Sequence, residues 1–203
     1  MDGNKVREKR LVLGVTGMPG AGKATASEIV KKLGFDVIVM GDEVRAEAKR
    51  RGLNATPENL GKIMLKIRAE EGRGVLAKRC IPKIFASKSE KILIDGIRSP
   101  EEVEEFRKVF QNFKVIAIHA APKTRFERLK HRGRSDDPKD WGMFMERDKR
   151  ELSVGIGEVI ATADYMVIND GTKEELRRNL LKLLEKIIAE SEKYEHERSR
   201  TFC

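Results

Sequence analysis

The chain has 203 residues, with 42 Lys and Arg against 33 Asp and Glu, a formal net charge of +9. That length suits one domain with a small excursion, and hydrophobic residues at 39% suffice for a core. Two cysteines, Cys80 and Cys203, do not make a disulfide framework, the scattered His119, His131 and His196 do not make a zinc spacing, and no apolar run reaches the ~20 residues that span a membrane.

The first predicted element is a strand at residues 11–16, apolar and β-branched like a buried parallel strand. Gly17-Met18-Pro19-Gly20-Ala21-Gly22-Lys23-Ala24-Thr25 follows it. This fits the phosphate-binding pattern G-x-x-x-x-G-K-[ST] at Gly17, Gly22 and Lys23 and breaks it at Ala24. Ala26, Ile29, Val30 and Leu33 then recur at helical spacing before Gly34. Strand, glycine-rich turn, Lys and helix together cradle phosphates. Glycines let backbone N–H groups converge, the helix N-terminus adds partial positive charge, and Lys23 reaches the outer phosphates.

A second strand is expected at residues 36–40, followed by Gly41-Asp42-Glu43-Val44-Arg45. On a helix Asp42 and Arg45 share a face. They form either a helix-start pair or a site where Arg45 clamps a phosphate. Residues 41–87 read as a helical excursion of two or three helices, far longer than the ~10–12 residues a plain crossover needs. Thr56 is the expected cap of one of them, with Pro57 at its first position, and Gly72 and Gly74 mark a break. The excursion reads as a flap over a second substrate, against the plainer reading of an insertion that adds stability. Cys80 falls in an apolar helical context and is expected to be buried.

The third strand, at residues 91–94, leads into Asp95-Gly96-Ile97-Arg98. An acid at the end of such a strand is where phosphate-loop proteins hold Mg²⁺ directly or through water. Gly96 lets a ligand approach the backbone, and Arg98 is a second candidate clamp. After a fourth strand at residues 113–119 comes a run of basic residues. A solvated helix face would explain it, and Arg125 is read as no more than that. Yet phosphoryl transfer needs positive charge around the developing oxygens. Arg128, Arg132, Arg134 and Arg147, with Arg150 nearby, would supply it from a small lid. Asp136 and Asp137 would fix these arginines.

A fifth strand is expected at residues 165–168, then a last helix from Thr172 to about Lys193. Its apolar face includes Leu176, Leu180, Leu184 and Ile187. Residues 1–10 and 194–203 read as fraying tails. Strands alternating with helices argue for an α/β fold, a five-stranded parallel sheet flanked by helices. Each motif falls just after a strand, at the end where such sheets take ligands. The net charge also permits a nucleic-acid partner. Most of the arginine clusters near the motifs, however, and 5% aromatic residues offer no base-stacking platform, so small nucleotide substrates are favoured. Charged residues at 37% are common in proteins from hot habitats. Met1 is followed by charges and no signal core, so a cytoplasmic location without a membrane partner is expected.

Together these motifs resemble the adenylate kinases and their nucleoside monophosphate kinase relatives, and most closely an archaeal family of adenylate-kinase-like proteins. The resemblance spans about residues 11–188. The family loop G-x-P-G-A-G-K-G-T is matched at Gly17, Pro19, Gly20, Ala21, Gly22 and Lys23, with Ala24 for Gly and a hydroxyl on Thr25. G-D-x-x-R is matched by Gly41, Asp42 and Arg45, and D-G-F-P-R, one residue shorter, by Asp95, Gly96 and Arg98. The lid pattern R-x-D-D is matched by Arg134, Asp136 and Asp137, with Arg128 and Arg132 before and Arg147 after. Residues 163–171, with Asn169 and Gly171, look like the base-proximal loop of this class and of dephospho-coenzyme A kinases.

The resemblance implies a single kinase domain over residues 1–203, with an acceptor-binding helical insertion at residues 41–87 and a lid at residues 128–138. It implies ATP and Mg²⁺, and phosphotransfer to an AMP-like monophosphate or similar small phosphorylated acceptor. The loop residues with Asn169 and Gly171 would hold ATP, and Asp95 the metal. Asp42, Arg45, Gly96 and Arg98 would hold the acceptor, while Lys23 and the lid arginines would act in catalysis. The acceptor side departs from the family. Met40 stands where it has Thr or Ser, and Pro100-Glu101-Glu102 where a Gln reads adenine. A carboxylate cannot imitate both the donor and the acceptor of an amide. Three other readings stay open: a dephospho-coenzyme A-type kinase, an ATPase-type accessory protein in RNA or ribosome maturation, and a nucleotide sensor.

Overall fold

The computed structural model describes residues 10–134 and 137–201. Five strands form one wholly parallel sheet: β1 (Leu11–Thr16), β2 (Asp36–Val39), β3 (Lys91–Asp95), β4 (Lys114–His119) and β5 (Tyr165–Ile168). Their order is β2-β3-β1-β4-β5. β1 is buried along its whole length, as a strand covered on both faces must be. Val15 of β1 pairs in register with Asp95 of β3 on one side and Ile116 of β4 on the other. The loops leaving β1 and β3 therefore emerge side by side. The chain goes from β1 to the β2 edge, returns through β3, and then continues on the far side of β1. The crevice at that reversal is where open α/β sheets take ligands.

Among the described residues the helices are α1 (Lys23–Lys31), α2 (Gly41–Arg50), α3 (Pro57–Glu71), α4 (Val75–Ala86), α5 (Pro100–Val109), α6 (Pro122–Arg132), α7 (Trp141–Val154), α8 (Ile156–Ala161) and α9 (Lys173–Thr201). Alternation along β1 divides the core between two layers. Val12 joins Met40, Ile67, Leu76 and Phe106 on one face. Leu13 and Val15 join Val30, Ile118, Leu180 and Leu184 on the other. Each fully buried side chain of this kind contributes roughly 1.5–3 kcal/mol, which fixes the helices to the sheet.

The excursion after β2 is three helices. Thr56 caps α3 by accepting from the backbone N of Asn59 at 3.3 Å, and Gly72 and Gly74 separate α3 from α4. Buried Glu47 ties the three together: it accepts from Arg51 at 2.6 Å and Arg79 at 2.9 Å, and these reach on to Glu70 and Glu71. Two expectations are corrected. Leu33 lies past the end of α1 and is exposed. The last helix continues through Thr201, because no Gly or Pro interrupts the charged stretch after Lys193. Cys80 is buried, and burial pushes its thiol up to about 12. Cys203 lies outside the described residues. Among the described residues no helix is long and apolar enough to cross a membrane.

Candidate active site

The loop between β1 and α1 is shaped by glycine. Gly20 and Gly22 have φ of +82° and +108°, in the left-handed region. A Cβ on Gly22 would fall 2.2 Å from the amide nitrogen of Asn169, and one on Gly20 would meet the Arg125 carbonyl at 2.6 Å. Asn169 donates through Nδ2 to the Ala21 carbonyl at 2.8 Å. Its buried side chain therefore braces the loop. Arg125 does the same from below, donating to the carbonyls of Pro19 at 3.1 Å and Ala120 at 3.2 Å. Two further bonds, of 2.9 and 2.6 Å, join it to both carboxylate oxygens of Asp148. Arg125 is thus not part of a solvated face: α6 turns it inward, and Asp148 on α7 compensates its charge in the interior.

Lys23 opens α1 and donates to the carbonyls of Gly17 and, at 3.2 Å, Met18. Burial, and next the neighbouring Arg98, lower its pKa to about 8. Asp95 ends β3 beside it and accepts from Ser27 Oγ at 2.8 Å. Ser27 follows Lys23 by one helical turn, the spacing that puts both on one face. That spacing is visible in the sequence, although the loop motif does not include Ser27.

A cleft of about 660 Å³ opens above these groups. Its walls hold Gly17, Pro19, Gly20, Gly22, Lys23, Ala24 and Thr25, with Asp95 at the β3 end and Asn169 and Gly171 at the far end. It also gathers Arg45, Arg98, Arg128, Arg132, Arg134 and Arg147. Three expected residues lie off its walls: Ala21 is buried beneath the loop, Asp42 is exposed, and Gly96 sits behind Asp95 with φ of +102°. Arg45 pairs with Asp42 at 2.5 Å, both exposed. Arg128 donates to the carbonyls of Asn169 at 2.6 Å and Gly171 at 3.0 Å, joining α6 to the loop after β5.

The expected lid divides between the last turn of α6 and the loop leading to α7. Asp137 organises it. It accepts from Arg132 at 2.9 and 2.5 Å and from the backbone N of Arg134 at 2.9 Å, and lies 3.6 Å from Arg147. Burial opposes ionisation of Asp137, but the hydrogen bonds from Arg132 and the Arg134 N–H outweigh it and hold the carboxyl below its ordinary range. Asp136 lies outside the described residues.

Arg45, Arg98 and Arg147 also line a second pocket, of about 180 Å³, between α2, α3 and α7. Val44, Leu60 and Met64 supply its apolar wall, and Arg150 and Glu151 its polar one. Arg98 Nε lies 2.8 Å from Glu151 Oε2, and this carboxylate chiefly raises the Arg98 pKa. Burial works against ionisation of Glu151. Arg98, then Lys23, Arg147 and Arg68, outweigh it and hold the carboxyl below its ordinary value. Glu151 follows Arg147 by one helical turn, which is the only trace of it in the sequence. The buried Glu102 is a structural group. It accepts from the Arg98 and Ser99 backbone N–H groups at 2.7 and 3.2 Å, forming a capping box with Ser99, and from Arg68 of α3 at 2.5 Å.

The donor set suits Mg²⁺ arriving with a nucleotide. Among the described residues no group of three or more His, Cys, Asp and Glu could hold a metal alone. Mg²⁺ ordinarily keeps several waters and takes one or two carboxylates plus substrate phosphates. Asp95, oriented by Ser27, offers one hard carboxylate oxygen on the cleft wall.

The AAA domain family profile matches residues 16–141, covering the phosphate loop, the three-helix excursion and the basic segment expected to form a lid. A UPF0200 protein of Pyrococcus abyssi is 48% identical over 182 residues, 88% of this chain and 97% of its own. One from Methanothermobacter thermautotrophicus is 47% identical over 182 residues, 90% of this chain and 93% of its own. Among solved structures, TT1252 from Thermus thermophilus has a TM-score of 0.57 at 17% identity, covering 87% of this chain and 97% of its own. Shikimate kinase from Acinetobacter baumannii, in complex with shikimate, has a TM-score of 0.57 at 15% identity, covering 92% and 97%. These two share the fold, that of the P-loop kinases. The chain belongs to the UPF0200 family of archaeal proteins and carries a P-loop kinase-like domain that matches the AAA domain family.

Proposed function

We propose that this protein is an ATP-dependent phosphotransferase acting on a nucleoside monophosphate, AMP-like, or on a similar small phosphorylated acceptor. The observation that carries the reading is the sharing of three arginines, Arg45, Arg98 and Arg147, by the large cleft and the small pocket. A module that only bound ATP would need the cleft alone. Two spaces joined by cations suit a donor and an acceptor whose phosphates meet there.

In this reading the loop amides and Lys23 hold the β- and γ-phosphates, and Thr25 helps hold the donor. Asp95 would hold Mg²⁺ directly or through water; the ion would neutralise charge on the β- and γ-phosphates. Arg45 and Arg98 position the acceptor phosphate. An acceptor oxygen forms a bond to the γ-phosphorus as the bond to the β–γ bridging oxygen breaks, and ADP leaves with that electron pair. The acceptor phosphate is already anionic, so no general base is required. Arg132, Arg134 and Arg147 offset charge on the transferring group, while Arg128 holds the loop carrying Asn169 and Gly171. A cytoplasmic location accords with ATP as donor.

The test is Mg·ATP with a panel of monophosphates and small metabolites, read by mass spectrometry on the full chain. Transfer is expected, falling by about 10²-fold or more in Lys23→Ala. Unchanged transfer in that variant overturns the reading. The net charge of +9 supports the accessory-ATPase alternative. ADP and inorganic phosphate without an acceptor, stimulated by RNA, would favour it instead.

A further inference from the structure

Glu151 does not suit a pocket meant only for a phosphate. It is a buried carboxylate on the wall of the small pocket, held ionised among cations. An ionised carboxylate repels a phosphate. It also has about four lone-pair sites, and Arg98 occupies the side of Oε2 as an ion contact. Oε2 is thereby spoken for and sealed from solvent, whereas among the described residues Oε1 accepts no hydrogen bond and is not sealed, so it is the oxygen left to face the pocket. A carboxylate oxygen left open in this way stabilises a ligand that brings a donor, and discriminates against one that does not.

The remaining walls narrow the class. Arg45, Arg98, Arg147 and Arg150 call for a dianion. Val44, Leu60 and Met64 suit the carbon face of a ring. Among the described residues the wall has no aromatic ring to stack on a base and no side-chain amide to read one. A volume of about 180 Å³ lies below the ~300 Å³ at which ordinary small-molecule sites begin. It is room for part of a nucleotide, or for a compact molecule.

We infer that the small pocket is a sugar-phosphate site, in which arginines take the phosphate and the Glu151 carboxylate accepts a hydrogen bond from a ring hydroxyl, so that Glu151 selects the acceptor. This rests on the proposed phosphotransfer only for its purpose; the binding itself stands apart. The ligand is either the ribose phosphate of a nucleotide or a free sugar phosphate.

The test is equilibrium binding by calorimetry to the full chain holding a non-hydrolysable ATP analogue with Mg²⁺, with transfer from ATP measured in parallel. The probes are AMP, its 2′,3′-dideoxy analogue and ribose 5-phosphate, on the wild type, Glu151→Gln and Glu151→Asp. On the wild type AMP should bind about tenfold to a hundredfold more tightly than the dideoxy analogue. That ratio should shrink in Glu151→Gln, whose neutral amide oxygen accepts more weakly than a carboxylate, whatever the freed Arg98 does to both affinities alike, and shrink also in Glu151→Asp, whose shorter side chain holds its oxygens farther back. Melting curves and ATP-analogue affinity establish that each variant is folded; Glu151→Asp keeps the test in force if Glu151→Gln is not. Ribose 5-phosphate binding like AMP assigns the pocket to free sugar phosphates, and binding of AMP alone assigns it to the ribose of a nucleotide; either supports the inference. Equal binding of AMP and its dideoxy analogue to the wild type overturns it, as does discrimination that is undiminished in the variants or no binding by any probe. Hydroxyl-dependent binding without transfer would overturn the phosphotransfer reading and leave this one standing.

Discussion

Lys23 lies half-buried against the carbonyls of its own loop with Arg98 nearby, and in the folded protein it keeps its proton only below about pH 8. In an unfolded chain it titrates near 10.5. The unfolded state therefore binds the extra proton between those values, and stability rises with pH across that window. Below it, the half-buried charge is a standing cost. Lys23→Met removes that cost. Without nucleotide, the variant should exceed the wild type in stability at neutral pH by at most about 3 kcal/mol. The gap should close toward about pH 10, as urea unfolding at the two pH values would record. Phosphates reverse the sign, because an anion beside Lys23 raises its pKa again. Binding of ATP above pH 8 should then take up a proton. Calorimetry in two buffers of different ionisation enthalpy should find uptake in the wild type and none in Lys23→Met. Equal proton counts in both would mean that Lys23 meets no phosphate.

At the scale of elements, α6 and α7 are joined to the phosphate loop by the strut of Arg125 and Asp148. Removing one member of a buried pair leaves an uncompensated charge, typically at a cost of about 3–5 kcal/mol, whereas replacing both with apolar groups is often neutral. Asp148→Leu alone should be strongly destabilised, and Arg125→Met with Asp148→Leu should recover most of the loss. The double variant should still bind ATP about tenfold more weakly, because the Pro19 carbonyl has lost its donor. Full ATP affinity in a stable double variant would reduce the strut to a packing device. This pair also marks where the sequence stops being legible. β1 and β5 were readable because short apolar runs bounded by turn residues mark strands. The start of α3 was readable from Thr56-Pro57, and the phosphate loop from its glycines. Arg125 and Asp148 stand 23 residues apart, and Arg68 and Glu102 stand 34 apart. No periodicity links such partners, and each charge alone reads as surface. For the same reason Glu151 had no motif to announce it, although the arginines it faces did.

Across the whole molecule, many of the site's cations are already engaged by groups of the protein itself. Lys23 rests on loop carbonyls, Arg45 on Asp42, Arg98 on Glu151, Arg128 on the loop after β5, and Arg132 and Arg147 on Asp137. In the proposed reaction a phosphate entering the cleft would therefore exchange one set of acceptors for another around positions that are already set, which would limit the reorganisation left for the transfer step. Asp137 is the hub of the lid side and the place to test this. Asp137→Asn keeps every arginine and its charge, leaves the phosphate loop and Lys23 untouched, and weakens only the hold on Arg132, Arg147 and the turn at Arg134. ATP affinity, carried chiefly by the loop, should stay within about threefold, while kcat should fall by about tenfold to a hundredfold as the lid arginines lose their alignment. Stability gives an independent sign. Because the folded pKa of Asp137 is depressed below 3.8, its contribution is present above that value and lost as pH falls through the folded pKa. The melting deficit of Asp137→Asn should thus be full at neutral pH and shrink in acid. A variant that loses ATP binding in proportion to turnover, or whose deficit is the same at every pH, would place Asp137 outside this role and make the lid's order depend on the loop alone.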